Sequence, residues 1–191
     1  GKTLLDIGAS TGGFTDAALQ NGAKMSYALD VGYNQLAWKI RQDPRVVVME
    51  RVNFRYAKPE YFTLGIPEVA VIDVSFISLK LMLPPLHAIL KEEGEVIALI
   101  KPQFEAGREA VGKNGIVRDP QTHQKVLEDI LSFAAHGGYD VLELSYSPIT
   151  GGEGNIEFLA HLRKVPESGT INSAINMAEV VSNAHEQFDH K

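Results

Sequence analysis

The sequence has 191 residues, 45% hydrophobic and 22% charged, a composition that fits one globular domain with a sizeable core and a small appendage. The absence of cysteine excludes disulfides and thiolate metal sites, and we expect a cytoplasmic protein because no signal peptide opens the chain and no apolar run approaches the roughly 18 residues of a membrane span. A formal net charge of −6 disfavours a broad nucleic-acid-binding surface, so any nucleic acid must meet a local patch or another domain.

A glycine-rich turn connects the first predicted strand to the first predicted helix. Leu4, Leu5 and Ile7 predict a buried strand, and the apolar spacing from Phe14 to Leu19 predicts a helix. The turn reads D-x-G-x-x-x-G-G, which differs from the G-x-G-x-x-G of dinucleotide sites. Its acid, Asp6, would repel a pyrophosphate but suits the cationic end of S-adenosylmethionine, directly or through water. An ordinary tight turn is the alternative, because glycine motifs alone are weakly diagnostic.

The next two predicted strands each end near a candidate nucleotide contact. Met25 to Leu29 predicts the second strand, and Asp30 follows it at the spacing where α/β folds bind a ribose hydroxyl pair. Val46 to Met49 predicts the third strand, and Asn53 and Phe54 come where a doubly wound sheet contacts adenine. An aspartate in an ordinary loop is the alternative interpretation of the first of these sites.

Two continuous apolar runs in the middle of the chain predict buried parallel strands. The first, Val69 to Ile72, is followed by Asp73, and the second, Glu95 to Ile100, is followed by Lys101. A helix is predicted between them, from Leu79 to Leu90, in which Pro84 and Pro85 mark a kink or the start of the main segment. Ligands of open α/β sheets bind outside the carboxyl ends of the strands, so the two charged side chains should meet beside the cofactor. A structural salt bridge or a solvated rim lysine is the alternative.

The last third of the chain changes pattern. Gln103 to Arg118 reads as a long loop, and Asp119 caps a helix that runs to His136. Tyr139 to Ser147 and Ile156 to Leu162 predict two consecutive strands, which implies an antiparallel hairpin at the sheet edge. A polar linker and a weak helix, 171–188, follow. The predicted fold is α/β, with a doubly wound, mostly parallel seven-stranded sheet.

Five blocks of the sequence together are specific for one protein family, although each block alone would be a weak signal. They are Leu5–Thr15, Asp30–Gly32, Asp73–Ser78, Lys101–Glu105 and Gly154–Phe158. Together they resemble the FtsJ-like ribose 2'-O-methyltransferases, and within them the TlyA group of ribosomal RNA methyltransferases often labelled hemolysins. The resemblance covers about residues 1–164, which we interpret as the methyltransferase domain, with 165–191 as linker and C-terminal helix.

The resemblance implies a Rossmann-like, S-adenosylmethionine-dependent methyltransferase fold and a Lys-Asp-Lys-Glu catalytic tetrad. Asp73, Lys101 and Glu157 match its last three members. In the family the first lysine precedes the glycine motif, and Lys2 lies too close to the first strand to replace it. The TlyA group also carries an N-terminal S4-type RNA-binding domain, which we expect outside this chain. A basic RNA-binding surface in that domain would account for the acidic net charge of this chain.

These matches give each candidate residue an expected role on ribosomal RNA. Lys101 would deprotonate or orient a ribose 2'-hydroxyl, Asp73 would position Lys101, and Glu157 would fix the network. Burial favours a neutral Lys101 and the adjacent carboxylate favours the ammonium, and the sequence leaves this open. No metal is expected. The expected contacts to S-adenosylmethionine are Asp6, Gly8, Ala9, Ser10, Thr11, Gly12, Phe14, Asp30, Val31, Asn53, Phe54 and Asp73.

Several side chains and functions remain alternatives. We expect Trp38 to lie in the core or an interface rather than to stack on a nucleotide base. Five basic residues are a possible phosphate-contacting rim, although each alone reads as a solvated surface charge: Arg55, Lys58, Arg108, Lys113 and Arg118. An amino-group methyltransferase is disfavoured because the chain lacks the [DNS]-P-P-[YF] motif, and an NAD oxidoreductase by the glycine spacing. A non-catalytic RNA-binding or cytolytic protein stays open, as does the oligomeric state.

Overall fold

The computed structural model describes residues 1–189, and these form one mixed sheet of seven strands in the order β3-β2-β1-β4-β5-β7-β6. The first five strands are parallel, whereas β7 pairs antiparallel with both β5 and β6. The predicted sheet with an antiparallel edge hairpin is therefore confirmed. The strands are β1 (Thr3–Ile7), β2 (Met25–Leu29), β3 (Val46–Met49), β4 (Val69–Ile72), β5 (Glu95–Ile100), β6 (Tyr139–Tyr146) and β7 (Phe158–Lys164).

The order of the strands reverses at β1, which pairs with β2 on one side and with β4 on the other. At such a switch point the connections leave the sheet in opposite directions, and a crevice opens at the carboxyl ends of the strands. The α-helices of the described chain are α1 (Gly13–Gln20), α2 (Trp38–Arg41), α3 (Leu83–Ile89), α4 (Pro102–Glu105), α5 (Pro120–His136) and α6 (Met177–Asp189).

The core lies between the sheet and the helices, and its largest side chains are fully buried. Tyr27 and Tyr139 both have 0% exposure, and each hydroxyl still donates a hydrogen bond, to the carbonyl oxygen of Gly65 (2.8 Å) and of Leu83 (2.6 Å) respectively. A buried hydroxyl without a partner would cost free energy, so these bonds fix the aromatic rings as well as satisfying them. The core therefore holds the strand ends at fixed positions.

Helix α5 begins where the sequence predicts. Asp119 accepts a hydrogen bond from the backbone nitrogen of Gln121 at 2.9 Å, and Pro120 occupies the first helical turn. One face of the helix is buried against β6. The terminal helix α6 packs back on α5 and β6. Among residues 1–189, none of the helices has the length and apolarity that crossing a bilayer requires.

The structure refines one prediction and contradicts parts of two others. The segment 79–90 forms a 3-10 turn at 79–81 followed by α3, and Pro84 and Pro85 lie in the first turn of α3, as predicted for the start of the main helical segment. The loop expected over 103–118 begins with α4 and contains two further 3-10 turns. Trp38 is 70% exposed, which contradicts the core alternative of its prediction and leaves the interface alternative as a prediction.

Candidate active site

The glycine turn after β1 brings the backbones of β1 and β4 into close approach. Gly8 has φ of +84°, and a Cβ atom at this position would overlap the carbonyl oxygen of Asp73. Its backbone nitrogen donates to the carbonyl oxygen of Leu29 at 2.9 Å. Gly12, at φ +93°, is the N-cap of α1. Only glycine takes such a conformation at little cost, so the turn explains why the motif has glycine at these two positions.

Asp30 ties two loops together at the end of β2. One carboxylate oxygen accepts from the backbone nitrogen of Ser10 at 2.7 Å, and the other accepts from that of Gly32 at 3.0 Å. Each carboxylate oxygen has a second lone pair, so the group can still accept from a ribose hydroxyl. Asn53 uses its side-chain oxygen to cap the turn after β3, accepting from the nitrogen of Arg55, and keeps its amide donors.

A cavity of about 450 Å³ lies over this edge of the sheet, between the ends of β1, β2 and β4. It fits a nucleoside cofactor, because its walls are mainly apolar and a carboxylate stands at the end of β2. Val31 is 72% exposed at its rim, whereas Phe54 is 3% exposed and forms part of the core behind it. Of the predicted cofactor contacts, the cavity brings together Gly8, Ser10, Asp30, Val31, Asn53, Phe54 and Asp73.

The other predicted cofactor residues lie on a neighbouring cavity of about 540 Å³ or inside the turn. Asp6, Ala9, Thr11 and Phe14 line that second cavity, and Gly12 lines neither. Asp6 is 2% exposed and accepts a 2.7 Å hydrogen bond from the hydroxyl of Thr15. Burial raises the pKa of Asp6, against the lowering effect of that bond. Asp6 therefore stabilises the turn by joining β1 to the first turn of α1 through Thr15.

Asp73 and Lys101 meet as predicted. Nζ of Lys101 lies 2.6 Å from Oδ1 of Asp73 and donates to the hydroxyl of Ser75 at 3.2 Å. The lysine side chain is 12% exposed, whereas that of the aspartate is 54% exposed. The contact forms because β4 and β5 are parallel neighbours that end at the same edge of the sheet. A separation of 2.6 Å is that of a charge-assisted hydrogen bond between the two side chains.

Glu157 enters the site from the antiparallel strand. The pairing of Ile100 with Phe158 ends the β5–β7 ladder, so the residue after one strand, Lys101, faces the residue before the other, Glu157. Glu157 is 6% exposed and accepts a 2.8 Å hydrogen bond from Nε2 of Gln103. Burial raises the pKa of Glu157, while the Gln103 bond and the charge of Lys101 act in the opposite direction.

A further cavity of about 560 Å³ contains all three proposed catalytic side chains. Asp73, Ser75 and Phe76 line both this cavity and the cofactor cavity, so the two meet at the end of β4. We call this further cavity the acceptor cavity. Its remaining walls come from α4 and from the segments 111–115 and 147–155. A volume of this size admits a nucleotide next to a bound cofactor.

Phe76 is a candidate functional residue that the sequence did not single out. It is 90% exposed at the junction of the two cavities and has φ of +65°, unusual for a bulky residue. Its ring centroid lies 4.9 Å from that of Phe104. A large exposed aromatic ring in a strained backbone conformation indicates a binding role. The only signal in the sequence was an aromatic residue directly after the strand-end acid.

The predicted basic rim is divided between two places. Arg55 and Lys58 follow the end of β3, next to residues that line the cofactor cavity, whereas Arg108, Lys113 and Arg118 lie between α4 and α5. The larger groove that Arg118 lines, about 820 Å³ beside α6, contains none of the proposed catalytic residues. Size therefore does not identify the active site here. Within residues 1–189, no group of three or more His, Cys, Asp or Glu side chains could hold a metal ion.

The strand order, the glycine turn at the switch point and the charged pair beside it define a Rossmann-like, S-adenosylmethionine-dependent methyltransferase. Residues 1–164 match the family model described as FtsJ-like methyltransferase. The chain therefore belongs to the FtsJ-like methyltransferase family, and the predicted family and cofactor are confirmed.

Similar proteins extend this assignment. The chain is 61% identical to the candidate rRNA methyltransferase YqxC of Bacillus subtilis, over 100% of this chain and 68% of that protein. It is 44% identical to the 16S/23S rRNA (cytidine-2'-O)-methyltransferase TlyA of Mycobacterium tuberculosis, over 85% of this chain and 60% of that protein. A solved structure of a candidate hemolysin from Streptococcus thermophilus, 58% identical, superposes with a TM-score of 0.96 over 99% of this chain and 68% of that one. This chain thus spans about two thirds of these proteins.

Proposed function

We propose that this chain transfers a methyl group from S-adenosylmethionine to a ribose 2'-hydroxyl of ribosomal RNA. The observation that carries the proposal is the Asp73–Lys101 ion pair at the junction of the cofactor and acceptor cavities. The name of the similar TlyA protein supports the choice of ribose and of ribosomal RNA. A ribosomal substrate also agrees with the cytoplasmic location expected from the sequence.

The bound cofactor supplies an electrophilic methyl group on a sulfonium, and the protein has to deliver and align the alcohol. Lys101, as an ammonium, donates a hydrogen bond to the 2'-oxygen and stabilises the negative charge that develops on it. Asp73 fixes the ammonium at 2.6 Å. The hydroxyl proton leaves through water, because the Asp73 side chain is 54% exposed at the mouth of the site. Alignment of the reacting atoms supplies much of the remaining rate enhancement.

The acceptor cavity suits an unpaired nucleotide rather than a base-paired one. Sequence-specific RNA recognition targets unstacked bases, which proteins hold against aromatic side chains. The exposed ring of Phe76 offers such a surface next to Lys101. The basic residues between α4 and α5 would contact the flanking phosphates. Two alternatives are not favoured: Asp73-Val74-Ser75-Phe76 lacks the prolines of amino-group methyltransferases, and no observation supports a cytolytic role.

The proposal is tested by transfer of a tritiated methyl group to ribosomal subunits. The wild-type protein should label the RNA, and the product should resist alkaline cleavage at one linkage because its 2'-oxygen is blocked. Lys101→Ala should reduce the rate at least about a hundredfold. Lys125→Ala, which removes an exposed lysine from α5, serves as the matched control and should leave the rate unchanged. Equal labelling by wild type and Lys101→Ala would eliminate the proposed role of Lys101.

A further inference from the structure

Gln103 donates a hydrogen bond to the carboxylate of Glu157 in the acceptor cavity. It is the second residue of α4 and follows Lys101 by two positions. Its Nε2 donates to Oε2 of Glu157 at 2.8 Å, across 54 residues of sequence. The short helix α4 begins with Pro102, which is buried and fixes the backbone direction after β5. Gln103 is therefore held by the same strand end that presents Lys101.

The rest of the Glu157 environment leaves the carboxylate little freedom. Gly151 packs directly on it, since a Cβ atom at that position would overlap the carboxylate oxygens. The other charged side chains that line the cavity are Asp73, Lys101 and Glu153. Lys101 attracts the ionised carboxylate, whereas the two acids repel it. A neutral donor such as Gln103 can fix an anion here without adding a charge that would compete for Lys101.

The orientation of the Gln103 amide leaves one of its two polar atoms without a partner. Its Oε1 atom is buried and has no hydrogen-bond partner. A buried acceptor without a partner is unfavourable, and a half-turn of the amide would exchange the two atoms. That turn would point Oε1 at Glu157, which is favourable only if Glu157 carries a proton. A Gln103 that donates through Nε2 stabilises the ionised carboxylate of Glu157, whereas the turned amide would place two oxygen acceptors against each other.

We propose that Gln103 is a positioning residue that holds Glu157 ionised and directed at Lys101. The inference rests on the proposed function, because the pair matters for methyl transfer only if Lys101 acts on the acceptor hydroxyl. Gln103 itself brings no charged group to either cavity. Its effect on the reaction passes through Glu157 and then through Lys101.

The test compares Gln103→Met with wild type. Methionine keeps the length and approximate volume of the side chain and removes the donor. The readout is the titration of the Glu157 carboxyl carbon, followed by NMR on selectively labelled protein and assigned with Glu157→Gln. Loss of a hydrogen bond to the ionised form should move the midpoint upward by about one pH unit. Gln124→Met, on the outer part of α5 where Gln124 contacts Glu128, is the matched control and should leave the midpoint unchanged.

Activity provides the second readout. At neutral pH, Gln103→Met should lower kcat about tenfold, the loss expected for one hydrogen bond to a charged group, with the KM for S-adenosylmethionine unchanged. The acid limb of the pH–rate profile should move to higher pH. Gln103→Asn, which shortens the donor by one methylene, should give a smaller change in the same direction and covers the case in which Gln103→Met does not fold.

The results distinguish failure of the positioning role of Gln103 from failure of the proposed function. An unchanged Glu157 midpoint in folded Gln103→Met and Gln103→Asn would overturn the positioning role. A raised KM for the cofactor, with no change in the pH profile, would also overturn it, because it would indicate general damage to the fold. If the midpoint moves but wild-type protein methylates no ribosomal RNA, the proposed function fails and Gln103 is left with a structural effect on Glu157 alone.

Discussion

At the scale of single residues, Glu157 shows how a proposed catalytic group can oppose stability. Its carboxylate is 6% exposed, and burial raises its pKa above the ordinary value. A carboxylic acid with a raised pKa in the folded state stabilises the fold while it is protonated, at low pH. That contribution is lost as the pH rises through the folded-state pKa. At neutral pH the ionised carboxylate therefore lowers the free energy of unfolding.

Replacing Glu157 with glutamine should separate the two properties. Glu157→Gln keeps an acceptor for Gln103 and removes the buried charge, so we expect the free energy of unfolding at pH 7 to rise by about 1 kcal/mol. Methyl transfer should fall at least about tenfold. Urea denaturation and the tritium assay measure the two effects. Loss of stability together with loss of activity would contradict this account. Glu153→Gln, on the same cavity but exposed, is the control.

A second prediction at this scale concerns RNA binding by the exposed ring of Phe76. Phe76→Ala should weaken binding of an RNA fragment about tenfold or more, because stacking of a base on an aromatic ring is worth about 1–3 kcal/mol. Stability should change by less than about 0.5 kcal/mol, since the ring is 90% exposed. Fluorescence anisotropy and thermal melting measure these quantities. Trp38→Ala removes another exposed aromatic side chain, away from the acceptor cavity, and should leave RNA affinity unchanged.

At the scale of elements, the turn between β1 and α1 depends on a close backbone approach. Gly8→Ala would force a Cβ atom onto the carbonyl oxygen of Asp73, at φ +84°. We expect a loss of at least about 2 kcal/mol in the free energy of unfolding and of calorimetrically detectable S-adenosylmethionine binding. Gly13 begins α1, and a Cβ atom added there would meet no other atom within 4 Å. Gly13→Ala should therefore retain binding and stability; equal damage by both substitutions would refute the close-approach argument.

The elements themselves were largely predictable because their signals are local. β2, β3 and β5 have the predicted bounds, since continuous apolar runs identify buried parallel strands. The meeting of Asp73 and Lys101 followed from the same signals, because parallel strands end at one edge of the sheet. The positions of those two residues are observed, and their catalytic roles stay predictions.

The parts that escaped prediction depend on long-range geometry. The contact of Gln103 with Glu157 requires the register of β5 against β7, which no local pattern encodes. The exposure of Phe76 depends on a left-handed backbone conformation that is rare for phenylalanine. The hydrogen bond of Asp6 to Thr15 depends on how α1 crosses β1, and the expected contact of Asp6 with the cofactor stays a prediction.

At the scale of the whole molecule, a pair of histidines joins α6 to the body. The buried His123 of α5 donates through Nε2 to the carbonyl oxygen of Val117 at 2.9 Å. Its Nδ1 is then an acceptor and lies 2.7 Å from Nε2 of His185 on α6, whose other ring nitrogen is paired with Asp189 at 2.6 Å. Burial, with a further effect from His185, lowers the pKa of His123 to about 4. The contact requires a neutral His123.

Stability should therefore depend on pH in a defined window. A histidine whose pKa is lower in the folded state contributes stability that is complete above its unfolded value of 6.5 and is lost as the pH falls toward about 4. We expect a loss of about 3 kcal/mol across this range in urea denaturation series. His123→Gln should flatten the profile. His136→Gln, an exposed histidine at the end of α5, should not. A His123→Gln profile as steep as that of wild type would exclude His123 as the cause.

The two cavities draw on different stretches of the chain. Every residue that lines the cofactor cavity falls between Ile7 and Met82, whereas the acceptor cavity is completed by Glu157 and the loop before it. A chain is synthesised from its N-terminus, and a domain generally folds as a unit. The residues of the cofactor cavity are thus synthesised first, and under the proposed function the acceptor cavity is complete only when Glu157 and β7 have been added.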